Sequence, residues 1–557
     1  MDKIWLQSYP PGVPAEIDPS EFSSLVAVAE HSFQKFADRP AYVQMGRTIT
    51  YRQLDALTRE FAAWLQNEAG LQKGDRIALM MPNVLQYPVA IFGALRAGLV
   101  VVNTNPLYTA PELEHQLVDS GAKVIVILEN FAHVLQQVIA KTAIRKVLVT
   151  SVGDMLGWPK SAIVNYVVRH RRKQVRPWNM PGALNFNAVL AAAKGTTFTP
   201  VPLVHADIAF LQYTGGTTGV SKGAMLTHGN TVANVVQARA WIGHTFKPDS
   251  NVLITPLPLY HIFALTANCL LFMLLGWKNV LITNPRDFAA FVADLKKYPF
   301  AFISGVNTLF NALLNTPGFE RVDFQHLVVT LGGGMAVQGA VAERWKQVTG
   351  KRLTQAWGLT ETSPAACINP ISDDFNGSIG LPIPSTEISI RNDDGAELAL
   401  GEVGEICVRG PQVMAGYWNR PDETAKVMLP EGWLRTGDVG HMDPRGYVFI
   451  EDRKKDMILV SGFNVYPNEV ESVMATHPGV LEVAAVAQPD EHSGEVVAVF
   501  IVRKDPALTE HDVIEHARKS LTGYKVPKHV YFRTELPKTN VGKILRRALR
   551  DEVVARS

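Results

Sequence analysis

RIALMMPNVLQYPVAIFGALRAGLVVVNTN, residues 76 to 105, sets two short β-rich runs around one helical pattern. Strand, helix and strand in that order make a βαβ unit, with its strands parallel in one sheet. The rhythm continues in KVIVILEN (123–130) and KVLVTS (146–151). It returns in NVLITPLP (251–258), NVLITN (279–284), FAFISGVN (300–307) and LVVTLGGG (327–334). The expectation is α/β, with two doubly wound parallel-sheet lobes. Between about 378 and 450 polar and apolar residues alternate around turn dipeptides such as Asp394-Gly395, which predicts an antiparallel, barrel-like β region. After the charged run EDRKKDM (451–457) the tail reads helix, strand, strand, helix, strand, a separate small α+β domain. The boundaries are drawn at 1–452, a hinge at 453–457, and 458–557.

A chain of 557 residues with 47% apolar content is too long for one core. The formal net charge of +2 creates no global field for nucleic acid. Cys269, Cys367 and Cys407 stand far apart without metal-ligand spacing, which points to a reducing compartment and buried thiols. Prolines interrupt the N-terminal MDKIWLQSYPPGVPAEIDP where an export signal needs an unbroken apolar run, so a cytoplasmic protein is expected. ALTANCLLFMLLGW (264–277) is shorter than the roughly 20 residues of a spanning helix and contains Asn268, so it is read as a buried helix. MLGWPKSAIVNYVVRHRRKQVRPW (155–178) mixes apolar side chains with six Arg/Lys. It is a candidate membrane-surface segment, with a solvated surface helix as the alternative.

Chemistry concentrates in five places. YTGGTTGVSKG (213–223) offers a flexible backbone, hydroxyls and a lysine, ingredients that suit a phosphate chain. It is not the loop G-x-x-x-x-G-K-[ST], because Ser221 precedes Lys222 and Gly223 follows it. The others are LGGGMA (331–336), QAWGLTETSP (355–364), GWLRTGDVG (432–440) and PKTNVGKILRR (537–547). In this order, with DRKKDMILVSGFNVYP (452–467), they resemble the adenylate-forming superfamily of acyl-CoA synthetases, luciferases and peptide-synthetase adenylation domains. The resemblance spans essentially the whole chain. It is closer to bacterial long-chain fatty-acyl-CoA ligases through PLYHIFALTANCLLF (258–272), LITNPRDF (281–288), SGVNTLFNALLN (304–315), the run from 432 to 471, and LTGYKVPK (521–528).

The resemblance implies a ligase that uses ATP, Mg²⁺ and coenzyme A on a long-chain fatty acid, in two half-reactions. It also implies peripheral attachment to the inner face of a membrane, a homodimer, and a mobile C-terminal domain. Tyr213, Thr214, Gly215, Gly216, Thr217, Thr218, Gly219 and Lys222 would make the loop that holds the β- and γ-phosphates. Glu361 would bind Mg²⁺, with Thr360 on the α-phosphate. Trp357 would stack on adenine above a floor of Gly332, Gly333 and Gly334, and Asp438 and Arg453 would hold the ribose. Lys543, otherwise one more solvated charge, would bridge the attacking carboxylate and the α-phosphate. His261, beside Tyr260, would position the carboxyl end of the acid. Lys455 would be the pivot, and Gly462 would leave room for the pantetheine arm after the small domain turns. A medium-chain or aryl acid, transfer to a carrier protein, or a silent lipid-binding protein of the same fold are the alternatives.

Overall fold

The computed structural model describes residues 3–214, 221–247, 251–539 and 541–556. Two large sheets carry the main body. In the seven-stranded one, Arg76–Met80 lies between Val124–Leu128 and Val100–Asn103, all parallel, as the opening βαβ pattern requires. Ile208–Thr214 extends this sheet in parallel, and Lys222–Thr227 closes its edge in antiparallel. The helix between the first two strands, Gln86–Arg96, is buried along its whole length, which explains its lack of a polar face.

The nine-stranded sheet has a parallel centre: Leu353–Gly358, Val329–Gly332, Phe302–Gly305, Val252–Thr255 and Lys278–Leu281, in that spatial order. Its far edge is made by Pro40–Gln44 and Arg47–Thr50. The start of the chain therefore completes the second lobe before the first lobe begins, a crossover that a reading starting near residue 75 does not contain. Between 264 and 277 the apolar run is helical and buried, as expected. Its one strongly polar side chain is satisfied by the sheet beneath: Asn268 donates to Thr255 Oγ1 at 3.1 Å and accepts from Ser304 at 2.8 Å.

The barrel-like region takes the form of a four-stranded antiparallel sheet, Glu387–Arg391, Gly404–Arg409, Leu434–Met442 and Val448–Arg453. The next strand, Ile458–Val460, already belongs to another sheet. That sheet has its own core around Val470, Met474, Val483, Val499 and Ile501, apart from the main one. The tail's helix, strand, strand, helix, strand pattern is Pro467–Met474, Val480–Asp490, Gly494–Arg503, Glu510–Arg518 and His529–Arg533, with a hairpin before it and helix Arg546–Arg556 after it.

Where the small domain meets the body, the seam includes polar contacts. Thr308 donates to the Gly542 carbonyl at 2.8 Å and Asn311 to the Leu481 carbonyl at 2.9 Å. Beside them is a cleft of about 260 Å³, lined by Asn311, Asn315 and Arg344 on one wall and Thr476, His477 and Leu481 on the other.

Candidate active site

Strand register assembles the first pair of site residues. Leu434–Met442 and Val448–Arg453 pair so that Asp438 stands opposite Arg453. The Asp438 carboxylate is buried; its Oδ2 accepts from the Trp357 indole at 3.0 Å. Its Oδ1 lies 3.2 Å from Arg453 Nε yet accepts no hydrogen bond, an orphaned acceptor in a cleft. A buried carboxylate oxygen in that condition is matched by a ligand that brings a hydroxyl.

Trp357 is the penultimate residue of the strand Leu353–Gly358, whose neighbour finishes at Gly332. Beyond it the chain turns at Gly334, where φ is +78° and an added Cβ would sit 3.2 Å from Lys543 Cε. Gly334 is thus the point that the lysine crosses, whereas a Cβ on Gly332 would meet Leu353 and Val337, and one on Gly333 would meet the Ala356 carbonyl and Phe263. Gly358, next to Trp357, permits a tighter approach: a Cβ there would lie 1.8 Å from the Pro364 carbonyl oxygen. That contact shapes the loop carrying Thr360 and Glu361, so Gly358→Ala is expected to cost about 2 kcal/mol or more of stability, read by denaturant unfolding.

Lys543 arrives from the small domain, its backbone fixed by Thr539, which accepts from Lys543 N–H at 3.1 Å. Burial pushes its ammonium down to about 8 and Arg453 adds to this, while Asp438 and Glu361 oppose it. The same charge helps hold His261 neutral: burial, then Lys543, push its imidazole down to about 3. His261 Nδ1 accepts from the Phe263 N–H at 3.3 Å, so the ring proton sits on Nε2. Phe263 faces the glycine floor, 3.2 Å from a Cβ built on Gly333. Further along the same run Phe272 is packed against Phe302 and Trp277, with ring centroids 4.6 Å apart in each pair, so this part is core.

Glu361 and Lys222 meet through a residue that the motif reading did not contain. Tyr417 donates to Glu361 Oε1 at 2.7 Å, and the Lys222 ammonium sits 4.8 Å above the Tyr417 ring. Segment 416–418 runs alongside the Lys222–Thr227 strand, with a bridge between Ala224 and Tyr417, which places the phenol. Lys222 also pairs with Glu423 at 2.5 Å; that bond, with Lys426 beside it, holds the Glu423 carboxyl down near 2. Tyr417→Phe is expected to lower kcat/KM for adenylation about tenfold, through a less constrained Glu361, and to leave thioester formation unchanged. Glu423→Gln is expected to lower the KM for ATP by up to about fivefold, because a half-buried ion pair that competes for Lys222 is gone. Steady-state kinetics on each half-reaction reads both.

Thr214 faces Lys222 across the hairpin, while Gly215, Gly216, Thr217, Thr218 and Gly219 lie outside the described residues. Tyr213 is committed elsewhere: its hydroxyl donates to Asp119 at 2.6 Å and its ring packs under Gly223. Thr360 is half-buried beside Glu361. Gly462 is exposed in the hairpin turn of the small domain, with open space where a Cβ would be. Lys455 follows the Asp438–Arg453 pair, and its ammonium is lowered by burial and by Arg453.

Lys543, Glu361, Asp438, Arg453 and Trp357 thus converge from two domains on one site, which offers an ammonium to an anionic group and a buried carboxylate to hydroxyls. Comparison with known proteins bears on this cleft. Residues 29–418 match the model described as AMP-binding enzyme, and 469–543 the one described as AMP-binding enzyme C-terminal domain. The chain is 56% identical over 553 residues to the long-chain-fatty-acid–CoA ligase of Salmonella typhi, covering 99% of this chain and 98% of that one. It is 55% identical over 555 residues to the Yersinia pestis protein of the same name, covering 100% and 99%. Among solved structures, the anthranilate CoA ligase AuaEII in complex with anthranoyl-AMP superposes with a TM-score of 0.87 at 24% identity, over 97% of this chain and 99% of that chain. The last likeness concerns the fold alone.

Proposed function

The chain belongs to the AMP-binding enzyme family, and from that premise we infer that it is an ATP-dependent ligase joining a long-chain fatty acid to coenzyme A. The observation that carries the reading is the delivery of Lys543 across Gly334 to within electrostatic reach of Asp438 and Glu361. In the first half-reaction a carboxylate oxygen attacks the α-phosphorus of ATP and pyrophosphate leaves. Two anions must approach, and Lys543 lies where it can touch both. Asp438 and Arg453 hold the ribose, and Trp357 flanks the adenine. Lys222, with the loop that follows Thr214, receives the terminal phosphates. His261, neutral, donates from Nε2 at the acyl end.

Glu361 fits a magnesium ion. Tyr417 occupies its Oε1 and leaves Oε2 without a hydrogen-bond partner among the described residues, and Mg²⁺ is commonly held by one carboxylate plus substrate phosphates. When bound, the ion would neutralise phosphate charge. In the second half-reaction the coenzyme A thiol attacks the acyl carbonyl and AMP leaves, with no protein nucleophile. That step has no use for Lys543, so we assign it to a second orientation of the small domain, turning about 453–457 and bringing Gly462 to the cleft.

No helix among the described residues is long and apolar enough to cross a membrane. Peripheral attachment to the cytoplasmic face of the inner membrane, and a homodimer, complete the reading. The test is pyrophosphate release and thioester formation with octanoate, palmitate, oleate and benzoate, with and without coenzyme A. Thioester formation strongest with palmitate and oleate is expected. Preference for octanoate or benzoate moves the substrate class, adenylate without thioester points to a carrier-protein acceptor, and no turnover overturns the reading.

A further inference from the structure

We propose that residues 158–176 are a docking surface for an anionic lipid bilayer, with Trp158, Ile163 and Tyr166 entering the headgroup layer and the following basic run lying on it. Of the large apolar side chains described, these three are the most exposed, at 89%, 60% and 59%. They sit within nine residues of one another, in a protein that otherwise scatters its exposed apolar groups.

The helix that carries Ile163 and Tyr166, Lys160–Tyr166 with its continuation Val167–Arg171, and the turn before it that carries Trp158, do not need these side chains to stay in place. Its inner face is pinned by other groups. Asn165 accepts from the Gly153 N–H at 2.8 Å and donates to Asp154 at 2.9 Å. Val168 is buried, and Arg169 reaches the buried Glu129 at 2.9 Å. Ile163, Tyr166 and His170 follow at i, i+3 and i+7 on the other face, with the Tyr166 and His170 rings 5.0 Å apart. Helix propensity and internal packing therefore leave the outward aromatic and β-branched side chains without a function inside this chain.

Charge selects the occupant. From 155 to 178 there are six Arg/Lys and no Asp or Glu. Arg171, Arg172, Lys173 and Arg176 are exposed and make no side-chain hydrogen bond or ion pair among the described residues. A second copy of the chain on this face would set these charges against their own kind. A bilayer with anionic headgroups meets both halves of the surface: Trp and Tyr rings favour the interface, where one edge is apolar and the other wet, and each nearby cation adds attraction. The proposal rests on the fatty-acid reading only for its purpose, uptake of a substrate dissolved in the membrane.

Flotation of the full chain with vesicles tests it, using phosphatidylcholine alone or with about one third phosphatidylglycerol, at low and high salt. Binding to the anionic vesicles alone, weakened by salt, is expected. The triple variants Trp158→Ser/Ile163→Ser/Tyr166→Ser and Arg171→Glu/Arg172→Glu/Lys173→Glu should each lower the partition coefficient about tenfold or more. A control with the same charge change on other exposed lysines, Lys35→Glu/Lys194→Glu/Lys296→Glu, should lower it less than about threefold. Adenylation of octanoate in solution, unchanged in each variant, shows that the fold survives. An equal loss in the control, no loss in either test variant, or a dimer that becomes a monomer on removing the apolar trio overturns the proposal. Failure of the wild type to make acyl-CoA, with vesicle binding intact, would strike the ligase reading and leave the docking surface standing.

Discussion

Lys543→Ala is expected to slow acyl-adenylate formation by about 10² to 10³-fold while leaving thioester formation from preformed acyl-adenylate within about twofold. The asymmetry follows from placement. Lys543 belongs to the small domain and reaches the site over Gly334, where a Cβ would sit 3.2 Å from its Cε, within the influence of two carboxylates that favour its charge. In adenylation, negative charge builds on groups that this ammonium faces; in thioester formation the acyl group is already activated. Equal loss in both half-reactions would overturn the two-orientation account.

The same lysine carries a pH signature. With the ammonium near 8 in the unliganded cleft, it is charged below that pH and loses its proton as pH rises through it. The kcat/KM for adenylation should therefore fall above about pH 8, because this parameter reports the free enzyme. A bound triphosphate stabilises the ammonium and raises its pKa, so ATP binding at pH 8 to 9 should take up protons. Calorimetry in buffers of different ionisation enthalpy measures that uptake, and Lys543→Ala should abolish it.

Glu361→Gln is the second large effect expected, a loss of about 10²-fold in kcat/KM for adenylation. Glutamine keeps the oxygen that accepts from Tyr417, so the loop retains its bond and the change isolates the charge. A neutral amide is a poor ligand for a hard dication and offers nothing to oppose the lowering of the Lys543 ammonium. Thioester formation from preformed adenylate should persist. If Glu361→Gln retained normal magnesium dependence in the adenylation step, the assignment of the ion to this carboxylate would fail.

Much of this was legible in the sequence, for a physical reason. The parallel lobes announce themselves because strands buried on both faces are nearly continuous Val, Ile and Leu, and the small domain because its helix and strand periods alternate cleanly. Motif order is what picks out Trp357, Asp438, Arg453 and Lys543, which the structure brings together, since no local pattern singles out a lone tryptophan or lysine. Tyr417 and Glu423 escaped because their meaning is long-range: Tyr417 matters through a bridge to a strand some two hundred residues earlier, and Glu423 looks like any acid in a solvated helix. Tyr213 shows the converse, a motif member whose hydroxyl is taken by Asp119. The edge strands Pro40–Gln44 and Arg47–Thr50 were missed because they join a sheet whose centre lies two hundred residues onward.

The hydrogen bonds from Thr308 and Asn311 at the domain seam have a consequence for turnover. Each contributes on the order of 1 kcal/mol net, so this pair biases the adenylating pose only mildly. A bias of the size that these two bonds supply is reversed by a ligand that discriminates between poses by a few hundredfold. On the two-orientation proposal, ATP would draw the domain in by meeting Lys543; once pyrophosphate has left, much of that attraction would be gone and coenzyme A could tip the balance the other way. On that proposal the small domain would work as a one-bit memory, its pose recording which half-reaction was last completed, and the modest worth of these two bonds would help keep the bit easy to rewrite.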